Sequence, residues 1–195
     1  MTVVLLVSTG MVSTEALRSA APSTDVSICA GARTGAAPAT SDPGGTTAVA
    51  SGTLPAQLVA RPVRLRLLPV FRRWASICDL PAALVEATCW WESGWQQDAV
   101  SVTGAVGVCQ IEPAAAQEAR GLLDDATLDP RSPSDNIEMS AAYLRWLLDE
   151  TGGRQALALA GYYQGLASVE EHGVLAVSRP YVAGITALLH DYSWS

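Results

Sequence analysis

The feature that most limits what this chain can fold into is a change of texture near residue 62. Residues 13–62 are dominated by Ala, Gly, Ser, Thr and Pro, with few large apolar side chains. Such a stretch cannot bury enough surface to offset the entropy of ordering it. It reads as a disordered linker, which leaves residues 63–195 to form the folded domain. Ahead of the linker, residues 2–12 form an apolar, leader-like run that is too short to span a bilayer. It lacks the basic residues that usually precede an export signal core, and Ile28 before Cys29 is too bulky for a lipoprotein cleavage site.

From Leu67 onward the apolar spacing is helical. Pro69 suits the first turn of a short helix through Phe71, Trp74 and Ile77. Asp79 is expected to cap a second helix, in which Leu84, Thr88 and Trp91 recur beside Val85, Cys89 and Glu92, with Gly94 as its stop. A third should run over residues 113–120 and end at Gly121. Ser132, Pro133 and Asp135 form a cap, a first-turn proline and an acidic third position. They open a long helix with Ile137, Ala141, Leu144 and Leu148 on one face, closed by Gly152-Gly153. An alanine-rich helix over residues 156–163 should end at Gly165, and Pro180 should start the last one. No alternating strand pattern of useful length follows Leu67, so the fold class is mostly α.

Charge excludes one class of partner. The net charge is −7, with no lysine, so no basic field exists to release counterions from a nucleic acid. Arg61, Arg64, Arg66, Arg72 and Arg73 cluster before the main domain and read as a solvated face. Cys29, Cys78, Cys89 and Cys109 fit no zinc spacing, and His172 and His190 complete no site, so neither metal nor cofactor is expected. Cys89 and Cys109 fall in apolar stretches and are expected as free buried thiols. A Cys78–Cys89 or Cys89–Cys109 bridge is the alternative.

The chemistry concentrates in Cys89-Trp90-Trp91-Glu92-Ser93-Gly94-Trp95. Glu92 continues the apolar line of Val85 and Cys89, which aims its carboxyl along a packed face. It also sits in a last helical turn, where the macrodipole disfavours an anion. Desolvation by the neighbouring tryptophans acts in the same direction. A carboxyl that keeps its proton near neutrality is the species that glycosidic cleavage needs for its leaving oxygen. The following loop carries Gly104 and Gly107 among small and hydroxylated residues, as a sugar-binding groove would.

Four blocks in order carry a family resemblance: Glu92-Ser93-Gly94-Trp95; Ser101 with Gly104-Ala105, Gly107, Gln110 and Pro113; Ala158-Leu159-Ala160-Gly161-Tyr162-Tyr163-Gln164-Gly165; and Tyr181-Val182. Together with Asn136 in the long helix, they resemble the soluble lytic transglycosylase (SLT) domain over residues 67–189. The resemblance implies a lysozyme-like helical domain with a groove for the glycan strands of peptidoglycan. It implies cleavage of the MurNAc-β-1,4-GlcNAc bond by one glutamate, here Glu92, acting as acid and then base, and release of a 1,6-anhydro sugar. It makes Ser101, Gln110, Tyr162, Tyr163, Gln164 and Tyr181 the substrate-binding or orienting residues. A monomer acting in the cell envelope or after secretion is the corresponding expectation.

The departures are Tyr163-Gln164 for the commoner Asn-Ala, Ala115 for threonine, and Glu112 where Met or Leu is usual. Glu112 reads as a solvated helix-start residue, and Asp98 as a turn residue that is the one nearby candidate for a second carboxylate. A hydrolytic lysozyme on the same fold, a non-catalytic glycan-binding module and a phage tail domain are the competing readings.

Overall fold

The computed structural model describes residues 28–29 and 54–194. Helices in chain order are α1 (Ala56–Val59), α2 (Pro62–Leu65), α3 (Leu68–Ile77), α4 (Ala82–Ser93) and α5 (Pro113–Leu123). They continue with α6 (Pro133–Glu150), α7 (Gln155–Gln164), α8 (Leu166–His172) and α9 (Arg179–Asp191). Among the described residues the only β pairing is two isolated bridges, Val100 with Val106 and Val106 with Ile111. The domain is helical, as the periodicity implies.

The long helix α6 is the spine. Ser132 Oγ accepts the backbone N–H of Asp135 at its start, and Pro133 occupies its first turn. Ile137, Ala141, Leu144 and Leu148 are all buried, which confirms the expected inward stripe. Helices α3, α5 and α7 pack on α6, and α4 lies between α3 and α9. The main core joins Leu84, Val85 and Cys89 of α4 to Ile137, Leu144 and Leu147 of α6 and to Tyr181 and Ile185 of α9. Trp95, just past α4, anchors that core: its ring lies 4.5 Å from Phe71, and its Nε1 donates to the Glu86 carbonyl at 2.9 Å. A smaller cluster of Ile111, Ala116, Ala119, Leu123, Met139 and Ala142 seals α5 against α6.

Several expectations need correcting. The helical body begins before residue 62: α1 lies inside the stretch assigned to the linker, where Leu58 is completely buried. One leucine under a four-residue helix is too short a pattern for periodicity to register. Residues 1–27 and 30–53, which include the leader-like run, lie outside the described residues. Helix α5 runs through Gly121 and stops at Asp124, which takes the left-handed conformation (φ 50) that glycine was expected to supply. Asp79 adopts φ 51 between helices, and Pro81 holds the position before α4. Helix α8 buries one side chain, Val169, and so has no apolar stripe for periodicity to register.

The cysteines are the largest correction. Cys89 and Cys109 are bonded to each other, Cys29 is bonded to Cys78, and there is no free thiol. Burial in apolar surroundings suits a half-cystine as well as a thiol, so the local sequence could not separate the two states. The loop after α4 folds back onto that helix and brings Cys109 against Cys89. Cys29 and Cys78 are 49 residues apart, across a segment with no pattern to link them.

Candidate active site

Glu92 occupies the last turn of α4, which ends at Gly94. A left-handed residue is required there (φ 64), and its N–H returns to the Trp90 carbonyl at 2.8 Å, so glycine fits without strain. Arg64 from α2 donates to the Gly94 carbonyl at 2.7 Å and so closes the helix end that carries the carboxyl. Tyr181, 4% exposed in α9, donates its hydroxyl to Glu92 Oε1 at 2.6 Å. The pair is 89 residues apart in sequence.

The environment sets the protonation state. Burial of its carboxyl pushes Glu92 up from 4.5 to about 8, although the residue keeps partial access to solvent. The Tyr181 hydrogen bond opposes this by stabilising the carboxylate, and the negative charge of Glu112 adds to the upward push. The result is a carboxyl that holds its proton through neutrality, on a residue that is itself half-buried.

A measurable consequence concerns stability. Glu92 favours its proton more strongly in the folded chain than in the unfolded one. Its contribution is therefore complete below about 4.5 and is lost as pH rises through about 8. At about 1.4 kcal/mol per unit, discounted for solvent reaching the carboxyl, the loss is about 1–3 kcal/mol. Glu92→Gln removes the titrating group, so wild type should fall behind it in melting temperature across that window. A constant difference between the two proteins from pH 4.5 to 8 would count against the raised value.

The other residues singled out by the sequence divide in two. Tyr163 stacks on Tyr181 with ring centroids 4.7 Å apart, and Tyr162 donates its hydroxyl to the Cys109 carbonyl at 3.0 Å. Burial, and then the charge of Glu92, push the pKa of both Tyr162 and Tyr181 upward, so each remains a hydrogen-bond donor. Ser101, half-buried, accepts the Ala105 N–H at 2.9 Å in the loop after α4.

Gln110 and Gln164, in contrast, turn into the protein. Gln110 Nε2 donates to the carbonyls of Ala99 and Gly107, each at 3.0 Å, and holds its own backbone at φ 48. Gln164 donates to Ser168 Oγ and the Gly173 carbonyl and accepts the Leu175 N–H, bracing the chain between α8 and α9. Asp98 is exposed on the loop, and Glu112 precedes Pro113 at the start of α5. Among the described residues, no group of three or more His, Cys, Asp or Glu side chains is placed to hold a metal ion.

One organising residue belongs to the family pattern in the sequence, which assigns it no role. Asn136 is fully buried, accepts the Cys109 N–H at 2.9 Å, and donates to the carbonyls of Val106 and Pro130. It thus pins the loop that carries Ser101 and Gln110 to α6. Gly107 makes room for it: a Cβ there would lie 2.5 Å from Asn136 Nδ2, at φ +81. Gly107→Ala is expected to destabilise the fold by about 1–3 kcal/mol through strain and loss of these buried hydrogen bonds. An unchanged midpoint of denaturant unfolding would show that the loop tolerates the methyl group.

With this geometry in place, relatives can be compared. Residues 69–179 match the Transglycosylase SLT domain family, and the chain belongs to that family. A membrane-bound lytic murein transglycosylase F from Pasteurella multocida is 31% identical over 107 residues, which is 52% of this chain and 20% of that protein. Among solved structures, the lytic transglycosylase Slt of Pseudomonas aeruginosa, an inactive mutant, superposes with a TM-score of 0.57 at 24% identity. The 70 kDa soluble lytic transglycosylase of Escherichia coli gives 0.58 at 22%, and its complex with bulgecin A gives 0.58 at 23%. Each structural match covers 62% of this chain and 23% of the other. The chain therefore spans about a fifth of the length of these relatives, and the structural likeness establishes a shared lysozyme-like helical fold.

Proposed function

We propose that this domain cleaves the MurNAc-β-1,4-GlcNAc bond of peptidoglycan, with Glu92 as general acid and then general base. The observation that carries this reading is the carboxyl of Glu92, hydrogen-bonded by the Tyr181 hydroxyl at 2.6 Å and pushed up to about 8 by burial. In the first step that proton moves to the glycosidic oxygen as the bond to the muramoyl carbon breaks. In the second, the resulting carboxylate takes a proton from the muramoyl 6-hydroxyl as it closes the 1,6-anhydro ring. Tyr181 suits both steps, because its hydrogen bond stabilises the carboxylate without removing the proton from the resting acid.

Ser101, Tyr162 and Tyr163 are assigned to positioning the glycan, whereas Gln110 and Gln164 hold the surrounding backbone. The site draws on α4, α7, α9 and one loop of a single chain, which fits a monomer. Two disulfides in a chain of this size suit an oxidising compartment, so the cell envelope or the exterior is the assigned location.

The test is digestion of purified peptidoglycan, with released sugars identified by mass. Anhydro ends are expected. Reducing ends would establish the hydrolytic lysozyme reading, and no release would establish a binding module. Because the acid form of Glu92 starts the reaction, the rate should fall as pH rises above about 8.

A further inference from the structure

Glu112 is exposed and replaces an apolar residue of the family pattern, yet it is tied into the loop that carries Ser101. Thr103 Oγ1 donates to Glu112 Oε1 at 2.8 Å, and Ser101 Oγ lies 2.8 Å from Thr103 Oγ1. Each hydroxyl has one hydrogen to give, and a carboxylate has none. With the Thr103 hydrogen directed at Glu112, the Ser101–Thr103 bond must run from Ser101 to Thr103. Ser101 Oγ already accepts the Ala105 N–H at 2.9 Å. What remains to Ser101 is a lone pair and no hydrogen.

The frame around this chain of hydroxyls is fixed by the backbone. Ser101 N–H donates to the Ala105 carbonyl at 2.9 Å, and Gly104 N–H to the Ser101 carbonyl at 3.1 Å. Glu112 stands at the extended step into α5, directly after Ile111, whose backbone is paired with Val106. The charge of Glu112 also adds to the upward push on Glu92, which couples this carboxylate electrically to the reacting one.

We propose that Glu112, acting through Thr103, is a positioning residue that fixes Ser101 as a pure hydrogen-bond acceptor toward the glycan, selecting an amide N–H or hydroxyl donor of an N-acetylated sugar. The proposal rests on the glycan-cleaving reading of Glu92. It makes Ser101 discriminate by polarity: a sugar group that only accepts hydrogen bonds meets another acceptor there and is disfavoured.

The test uses initial rates on purified peptidoglycan, with kcat and KM resolved, for Glu112→Met, Glu112→Gln, Thr103→Val, Ser101→Ala and the Ser101→Ala double variants. Glu112→Met removes the acceptor, and Thr103→Val cuts the chain without touching Glu112. Each should lower kcat/KM by about three- to tenfold, as expected for loss of one oriented hydrogen bond. The change should appear mainly in KM. Glu112→Gln keeps an acceptor oxygen and should recover most of that loss. In the Ser101→Ala background, Glu112→Met and Thr103→Val should cost nothing further.

The groups that bear electrically on Glu92 are Tyr181, Tyr162 and Glu112. Both Glu112 variants remove the same charge, so both should move the alkaline limb of the rate profile equally to lower pH. That shift separates charge from relay. A Glu112→Gln loss as large as that of Glu112→Met would overturn the relay, as would an undiminished penalty in the Ser101→Ala background. If Glu112→Met fails to fold, Thr103→Val decides alone. Wild type that releases no sugars overturns the cleavage reading and takes the relay with it, whereas active wild type with insensitive variants overturns the relay only.

Discussion

Glu92→Gln should lower the rate of glycan cleavage by about 10²–10⁴-fold or more, the usual contribution of a positioned acid–base group. The carboxamide keeps the oxygen that accepts the Tyr181 hydroxyl at 2.6 Å, so the local packing is retained. It cannot deliver the proton. It is also neutral, like the resting carboxyl, so glycan affinity and folding should survive. Asp98→Asn and Glu112→Gln should each cost far less, since neither side chain is assigned proton transfer. Tyr181→Phe should fall between: losing a hydrogen bond that holds Glu92 down moves its titration higher still and weakens the acid step, whose carboxylate product loses that support. Initial rates with mass identification of products make the comparison. An active Glu92→Gln beside a dead Asp98→Asn would sink the single-glutamate mechanism.

The second large effect concerns the bond between Cys89 and Cys109. It closes a loop across 20 residues of sequence, and cross-linking a loop of that length stabilises a fold by about 3 kcal/mol through the unfolded chain. The loop holds Glu92, Ser101 and Gly107, and its far end shares a residue with the site, since the Cys109 carbonyl receives the Tyr162 hydroxyl. The double variant Cys89→Ala/Cys109→Ala should therefore lower the denaturant midpoint by an amount equivalent to about 2–4 kcal/mol. It should also raise KM, because the loop would then be held by Asn136 and the flanking hydrogen bonds alone. Rapid labelling of Cys89 or Cys109 by a thiol reagent in the native, unreduced protein would show that the bond is not formed.

How far the sequence reveals this molecule depends on the range of the interaction concerned. The first turn of α6 and the end of α4 were legible because Ser132, Pro133 and Gly94 act on their own neighbours. Glu92 and Tyr181 were legible through a family pattern, although the bond between them spans 89 residues. The direction of Gln110 was not, because a buried amide that ties up a loop and one that binds a sugar have the same letter and the same neighbours. The role of Asn136 is hidden for a related reason: its partners are the carbonyls of Val106 and Pro130 and the N–H of Cys109, and backbone groups leave no residue-specific trace. The Thr103–Glu112 contact joins two exposed residues, of which Glu112 alone reads as a solvated helix-start residue.

The bond from Cys29 to Cys78 makes a covalent ring of the chain between them, 49 residues apart in sequence and closed beside the end of α3. A single backbone cut anywhere inside that ring leaves the two pieces joined. A nicked protein would therefore run as one species until a reductant parts the pieces.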